Sequence, residues 1–227
     1  MIKNIVFDMG KVLVGYDAMR VCRHFMKDEA EMEAVCTSVF VSPEWILLDM
    51  GLITEEMALE KMQDRLKDEH AKEMAALCLA HWPEYCMWPI KEMEEVIDTL
   101  KSQGFGLYIC SNASMRLPME WKKVIPRIET FDGVLFSAEE KCLKPQKEIY
   151  LRLFEKYDLK PEECFFVDDL LLNIEGARAC GMDGYCFADG DIEKLKAVLY
   201  GLRDRGISRR SPGRKSERKS EKRMGKE

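Results

Sequence analysis

Short apolar runs recur along the chain, and each of them ends in small or polar residues. Five stand out, at residues 4–8, 107–112, 134–137, 164–169 and 184–188. Between the later runs, apolar positions follow helical spacing over residues 90–103, 145–157 and 173–180. Continuous apolar strands that alternate with helices are typical of a parallel sheet with helices on both faces. We therefore predict an α/β fold with a Rossmann-like, doubly wound parallel sheet.

The segment between the first two runs has a different pattern. Residues 18–27, 30–39, 55–67 and 71–82 read as amphipathic helices, and no convincing strand lies among them. Thr54 is expected to cap the helix that follows it by accepting the backbone N–H of Met57. We predict a core of residues 1–15 and 89–202, with a small helical cap of residues 16–88 inserted after the first strand. The stretch "HWPEYCMWPI" would be the hinge that returns to the core.

Charge is unevenly distributed along the 227 residues, whose formal net charge is −6. Residues 203–227 contain eleven Lys and Arg against four Asp and Glu, and they have almost no large apolar side chains. Such a segment cannot offset its ordering entropy, so we predict a basic, disordered tail. The rest of the chain is acidic, which argues against nucleic-acid binding by the folded part.

Composition also bears on location and cofactors. No apolar run approaches the ~20 residues of a membrane span, and a predicted strand follows Met1 closely, without the apolar core of a signal peptide. The nine cysteines include no Cys-x-x-Cys pair and are expected to be reduced. The three histidines are too scattered for a zinc site. We predict a cytoplasmic protein, and the sequence does not indicate its oligomeric state.

Polar residues of particular kinds follow the predicted strands. Asp8 ends the first strand, Ser111 and Asn112 end the second, and Asp168 and Asp169 end the fourth. A loop after the third strand carries a lysine, Lys144, directly before a proline. Each motif by itself is common in turns and loops. In a parallel sheet, however, all these strand ends lie along one edge, which is where open α/β sheets bind their ligands.

Together these groups suit a divalent cation and a phosphoryl group. Mg²⁺ prefers hard oxygen ligands, and the three carboxylates would repel one another without a cation. The hydroxyl of Ser111, the polar Asn112 and the ammonium of Lys144 are candidates for binding the phosphate. Asp8 is then a candidate nucleophile for attack at phosphorus.

On these motifs, residues 1–200 resemble the haloacid dehalogenase superfamily of hydrolases, in the branch with a tandem-Asp fourth motif and a small helical cap. The resemblance implies that Asp8 is the phosphorylated nucleophile, that Ser111 and Lys144 contact the phosphate, and that Asp168 and Asp169 bind the metal. The backbone carbonyl of Gly10 would be a further metal ligand. Asn173 matches a polar position that braces the fourth-motif loop.

The first motif departs from most phosphatases of this superfamily. They have a second Asp two residues after the nucleophile, which protonates the leaving group, whereas this chain has Gly10. General acid–base help is worth roughly 10²–10⁴ in rate. Asp17, at the entry to the predicted cap, is a possible substitute acid or substrate contact, although a helix-capping role fits it equally well. Within the cap, Glu44 or Trp45 could face the substrate, with the cap interior as the slightly favoured place for Trp45.

Three functions remain open. The first is a Mg²⁺-dependent phosphatase of small phosphomonoesters, sugar phosphates above all, since similar enzymes with Gly at this position act on sugar 1-phosphates. The second is a haloacid dehalogenase, whose halide leaving group needs no proton but whose family branch lacks the tandem acid. The third is a non-catalytic binding protein with the basic tail as its interaction arm.

Overall fold

A computed structural model describes residues 1–117 and 121–202. Its main sheet has five parallel strands in the spatial order β5-β4-β1-β6-β7. They are β1 (Asn4–Phe7), β4 (Gly106–Ser111), β5 (Gly133–Phe136), β6 (Cys164–Asp168) and β7 (Asp183–Cys186). This confirms the Rossmann-like fold, and each predicted run matches a strand to within two residues. The predicted disorder of residues 203–227 lies outside the described residues.

Helices cover both faces of this sheet. They are α6 (Glu92–Ser102), α7 (Ser137–Glu140), α8 (Lys147–Lys156), α9 (Leu171–Ala179) and α10 (Ile192–Tyr200), of which the sequence pattern did not predict the short α7 or the last helix. Ile5 and Phe7 of β1 pack in one cluster with Val96 of α6, and Val6 packs in another with Ile149 of α8. Burial on both faces explains why β1 is continuously apolar rather than alternating.

The segment between β1 and β4 forms a helical module, which we define as residues 19–85. It contains α1 (Met19–Phe25), α2 (Glu29–Phe40), α3 (Pro43–Asp49), α4 (Glu55–Gln63) and α5 (Glu69–Tyr85). Thr54 caps α4 as expected, because its side chain accepts the backbone N–H of Met57 at 3.3 Å. The sequence pattern did not predict α3, which begins at a proline and is capped by Ser42.

The sequence pattern predicted no strand within residues 16–88, but two short strands lie at the ends of the module. Strand β2 (Val14–Tyr16) pairs antiparallel with β3 (Met87–Pro89). Three-residue strands are too short to show an alternating pattern, so periodicity could not reveal them. This pairing brings the segment that leads into the module next to the segment that leads back to the core.

Two further predictions can be compared with the structure. All nine cysteines are free thiols. No helix among residues 1–117 and 121–202 is long and apolar enough to cross a membrane.

Candidate active site

The carboxyl ends of three adjacent strands bring the predicted residues together. Strand β1 lies between β4 and β6 in the sheet. Asp8 therefore stands between Ser111 at the end of β4 and Asp168 at the end of β6. The backbone N–H of Asp8 donates to the Val167 carbonyl at 2.8 Å, which continues the sheet pairing to the nucleophile position.

Lys144 is buried at the centre of this group. Its Nζ lies 2.7 Å from Oδ1 of Asp8 and 2.6 Å from Oδ2 of Asp168. Burial acts to lower the pKa of Lys144, but the charges of Asp8 and Asp168 outweigh it and raise that pKa well above its ordinary value. The lysine is therefore a fixed positive charge between two carboxylates.

Asn112 and Gly176 hold the loop that carries Lys144. The Asn112 side chain accepts the Lys144 backbone N–H at 2.8 Å and donates to the Lys144 carbonyl at 3.1 Å. A Cβ atom on Gly176 would lie 2.7 Å from the carbonyl oxygen of Pro145, so glycine lets α9 approach this loop closely. Asn112 lines the cavity, and its amide group is engaged in positioning the lysine, so its expected contact with a phosphate stays a prediction.

Asn173 braces Asp168, in agreement with the expectation from the resemblance. Its Nδ2 donates to both carboxylate oxygens, at 2.9 and 3.1 Å, and the Leu170 backbone N–H donates to Oδ1 at 2.9 Å. The Tyr150 hydroxyl in turn donates to the Asn173 carbonyl at 2.7 Å. Both oxygens of Asp168 thus accept hydrogen bonds, and Oδ2 also pairs with the lysine.

Asp8, Asp168 and Asp169 form an acidic cluster whose ligand atoms lie within 4.8 Å of one another. Burial raises the pKa of Asp8 to about 6, with the Asp168 charge adding to the rise and Lys144 opposing it. Burial and the Asp168 charge also raise the pKa of Asp169, whose carboxylate is partly exposed and lies 3.9 Å from Lys11.

This donor set fits a divalent cation. Among the described residues, Oδ1 of Asp8 is buried and accepts no hydrogen bond of regular geometry, although it forms the ion pair with Lys144. Three clustered carboxylates facing one buried lysine leave an excess of negative charge, which a hard cation would neutralise. Gly10, two residues after Asp8 in the sequence, lines the same cavity.

A cavity of about 190 Å³ opens above the strand ends. Its polar side chains belong to Asp8, Asp49, Ser111, Asn112, Lys144 and Asn173, and its apolar wall comes from both the core and the module. Tyr16, Trp45 and Trp82 form an aromatic cluster on the module side, with ring centroids 6.3 Å apart for Tyr16–Trp82 and 5.2 Å apart for Trp45–Trp82. The cavity therefore has charged residues at its bottom and aromatic rings on one side.

Three residues that the sequence singled out, Asp17 at the entry to the module and Glu44 and Trp45 within it, have different positions. Asp17 is not among the residues that line the cavity: it accepts the Met19 backbone N–H at 2.9 Å and pairs with Arg23 at 3.2 Å, as a helix-capping residue does. Glu44 is also outside the cavity and pairs with Arg65 at 2.8 Å. Trp45 both packs in the module interior and lines the cavity.

Sequence reasoning missed Asp49 and Trp82, which also line the cavity. Asp49 lies in the apolar stretch "WILLDMGLI", and an isolated carboxylate in such a stretch was the available signal. Asp49 is the last residue of α3. Because the sequence pattern did not predict this helix, the face on which Asp49 lies could not be inferred.

Comparisons with known proteins agree with this geometry. A family model described as haloacid dehalogenase-like hydrolase matches residues 2–181. The chain therefore belongs to the haloacid dehalogenase-like hydrolases, and the expected enzyme class is confirmed.

Individual proteins similar to this chain include a phosphatase by sequence and, by fold, a dehalogenase. A sesquiterpene phosphatase of Aspergillus oryzae is 26% identical over 187 residues, which cover 82% of this chain and 90% of that protein. A mutant enzyme of this family from Bacteroides thetaiotaomicron, in complex with magnesium and inorganic phosphate, has a TM-score of 0.64 at 22% identity, covering 82% of this chain and 94% of its own. The L-2-haloacid dehalogenase of Xanthobacter autotrophicus has a TM-score of 0.57 at 20% identity, covering 81% and 76%. At these identities the two structures show a shared fold.

Proposed function

We propose that this hydrolase is a Mg²⁺-dependent phosphatase of small phosphomonoesters that acts through an aspartyl-phosphate intermediate. The observation that carries the proposal is the convergence of three carboxylates on a buried lysine at the strand ends. The phosphatase relative and the magnesium and phosphate bound by a protein of the same fold support it.

In the proposed first step, a carboxylate oxygen of Asp8 attacks phosphorus, and the bond from phosphorus to the ester oxygen breaks. The electron pair of that bond goes to the leaving oxygen. In the second step, water attacks the aspartyl phosphate, which releases inorganic phosphate and restores Asp8. Lys144 and the Ser111 hydroxyl would bind the equatorial phosphoryl oxygens throughout.

Asp8, the Gly10 carbonyl, Asp168 and Asp169 would hold Mg²⁺, which would neutralise the charge of the phosphoryl group and of the cluster. Asp168 has a second role, because it also fixes Lys144. The carboxylates of Asp169 and Asp8 have fewer hydrogen-bond and ion-pair partners than that of Asp168. They are therefore the stronger candidates for direct metal ligands.

The cavity supports a small substrate. Its volume of about 190 Å³ is below the roughly 300–1,000 Å³ of pockets for drug-sized ligands. The rings of Tyr16, Trp45 and Trp82 are flat apolar surfaces that can pack against the C–H face of a sugar ring or against another compact apolar group. Sugar phosphates therefore stay within the proposed substrate class.

The helical module would act as the cap over this site. Residues of the core and of the module line one cavity, and this supports a module that would cover the reacting atoms and limit the access of water. The division of the chain into core and cap, like the cytoplasmic location, stays a prediction.

A dehalogenase is the less favoured function. Displacement of a halide needs neither a metal ion nor a proton, and a tight cluster of three carboxylates would then serve no purpose while their mutual repulsion raises the free energy of the folded state. A non-catalytic binding protein would gain nothing from the same cluster.

The test is phosphate release from a panel of small phosphomonoesters, including sugar 1-phosphates and 6-phosphates, with Mg²⁺ and with EDTA. We expect metal-dependent release that disappears in Asp8→Asn. Asp64→Asn is the matched control, because Asp64 is an exposed module residue that pairs only with nearby Lys61 among the described ion pairs, and it should keep full activity.

Chloride release from 2-chloropropionate is measured in parallel. Chloride release without phosphate release would identify a dehalogenase. No turnover of any phosphoester, with or without metal, would overturn the proposal, and so would full activity of Asp8→Asn.

A further inference from the structure

The proposed reaction lacks its usual proton donor. When an alkoxide leaves phosphorus it must receive a proton, and most phosphatases of this superfamily use a carboxylate two residues after the nucleophile. Here that residue is Gly10, and an added Cβ would meet no atom within 4 Å. The position is therefore open space beside Asp8, and another group must supply the proton.

Asp49 lines the same cavity as Gly10 and Asp8, and contacts between the module and the core hold its backbone in place. It ends α3 and lines the cavity that contains Asp8, Ser111 and Lys144. The Ser137 hydroxyl, from α7 of the core, donates to the Asp49 carbonyl at 2.5 Å and accepts the Ala113 backbone N–H at 2.8 Å. One hydroxyl thus ties the end of α3 to the loop that follows Ser111.

A second contact fixes the same helix end. Lys141 Nζ donates to the Gly51 carbonyl at 2.5 Å. Gly51 follows α3 with φ of +63°, and an added Cβ there would meet the Ala138 backbone. Glycine at this position therefore allows the end of α3 to lie directly on α7. These contacts fix the backbone at the end of α3, and with it the Cα position of Asp49, against the core.

We propose that Asp49 is the general acid and base of the reaction and replaces the carboxylate that is absent at Gly10. The inference rests on the phosphatase function proposed above. In the first step the Asp49 carboxyl gives its proton to the leaving oxygen as the bond from phosphorus to that oxygen breaks. In the second step the Asp49 carboxylate takes a proton from the water that attacks the aspartyl phosphate, so the enzyme returns to its starting state.

The environment of Asp49 agrees with this role. Burial raises the pKa of Asp49 to about 7, and a hydrogen bond from the Ser114 backbone N–H offsets only part of this rise. A carboxyl with a pKa near neutrality can both give and accept a proton. The two other acids considered, Asp17 and Glu44, are engaged elsewhere, because Asp17 pairs with Arg23 and Glu44 with Arg65.

The first experiment compares two substrates of similar size in Asp49→Asn. Phenethyl phosphate has an alkoxide leaving group that needs a proton, whereas dinitrophenyl phosphate releases a stable phenolate that does not. Because kcat/KM reports the phosphorylation of Asp8, we expect it to fall about 10²-fold or more for phenethyl phosphate. For dinitrophenyl phosphate it should stay within about tenfold of the wild type.

The second experiment isolates the hydrolysis of the aspartyl phosphate. In Asp49→Asn this step loses its base, so the phosphorylated enzyme should accumulate. Rapid mixing with dinitrophenyl phosphate should then give a burst of dinitrophenolate equal to the enzyme concentration, followed by slow turnover. Phenethyl phosphate should give no burst.

Controls separate a chemical role from a structural one. Asp49→Glu keeps a carboxylate and should recover part of the lost rate for phenethyl phosphate, while Asp64→Asn should match the wild type with both substrates. Circular dichroism and the thermal midpoint establish that Asp49→Asn is folded.

The proposed role of Asp49 would be overturned if kcat/KM of Asp49→Asn fell equally for the two substrates, or if it fell for neither. That role is also overturned if Asp17→Asn, and not Asp49→Asn, shows the dependence on the leaving group. The proposed phosphatase function fails by a different result, namely a wild-type enzyme that releases no phosphate.

Discussion

Replacing Lys144 by methionine tests whether this lysine holds the acidic cluster together. The lysine side chain is 1% exposed, and its partners Asp8 and Asp168 are 11% and 0% exposed. Methionine fills the space of the aliphatic stem but removes the charge, which leaves two buried carboxylates facing each other across a short gap. The variant therefore breaks two buried ion pairs without leaving a large cavity.

The expected loss of stability follows from that geometry. Removing one partner of a buried ion pair typically lowers the free energy of unfolding by about 3–5 kcal/mol. For domains of 150–250 residues each kcal/mol moves the thermal midpoint by about 2–4 °C, so Lys144→Met should melt roughly 6–20 °C below the wild type in EDTA. Mg²⁺ should raise the midpoint of the variant more than that of the wild type, because the cation becomes the main countercharge of the cluster.

Thermal unfolding followed by circular dichroism, in EDTA and across a Mg²⁺ titration, measures both effects. Lys156→Met is the matched control: its ion pairs with Glu139 and Glu140 are at the surface and contribute about 1 kcal/mol or less. A loss for Lys144→Met no larger than for this control would refute the reasoning. So would a Mg²⁺ response equal to that of the wild type.

Three further variants test how the site is built. Gly10→Asp places a carboxylate in open space. In the Asp49→Asn background it should raise kcat/KM for phenethyl phosphate about tenfold or more, and an unchanged kcat/KM would show that the variant does not lack a proton donor. Asn112→Ala removes both side-chain hydrogen bonds to the Lys144 backbone and should lower kcat about tenfold, equivalent to about 1.4 kcal/mol, with Asp64→Asn unchanged in the same assay. Ser137→Ala leaves two backbone groups unpaired and should lower the free energy of unfolding by about 1–3 kcal/mol in urea titrations. Its kcat/KM should fall more for phenethyl phosphate than for dinitrophenyl phosphate, and equal losses would show that Ser137 does not position Asp49.

The core of the fold was predictable because its strands are buried on both faces. Continuous apolar runs such as Ile5-Val6-Phe7 mark such strands without any knowledge of their neighbours. Two helix ends carry a local signal of another kind, because Gly104 and Gly181 follow α6 and α9 with φ of +81° and +91°, where glycine is strongly favoured. The short strands β2 and β3 and the helix α3 were not predictable, because segments this short show too little periodicity.

Asp17 and Asp49 show the limit of sequence reasoning within the site. Asp17 was the natural candidate for a replacement acid because it lies close to Asp8 along the chain. Its own helix start and Arg23 engage it instead. Asp49 lies much farther away in sequence but lines the cavity in the folded chain, where Ser137 and Lys141 hold the end of α3 against the core.

The sequence by itself determined that Asp8, Ser111, Asp168 and Asp169 end strands of one parallel sheet, because strand direction alone places those ends along one edge. Only the tertiary structure decided which of those ends are neighbours, how deeply Lys144 is buried between Asp8 and Asp168, and which module residue completes the cavity. Those features depend on the order of strands and on packing between segments distant in sequence. Local patterns carry no information about either.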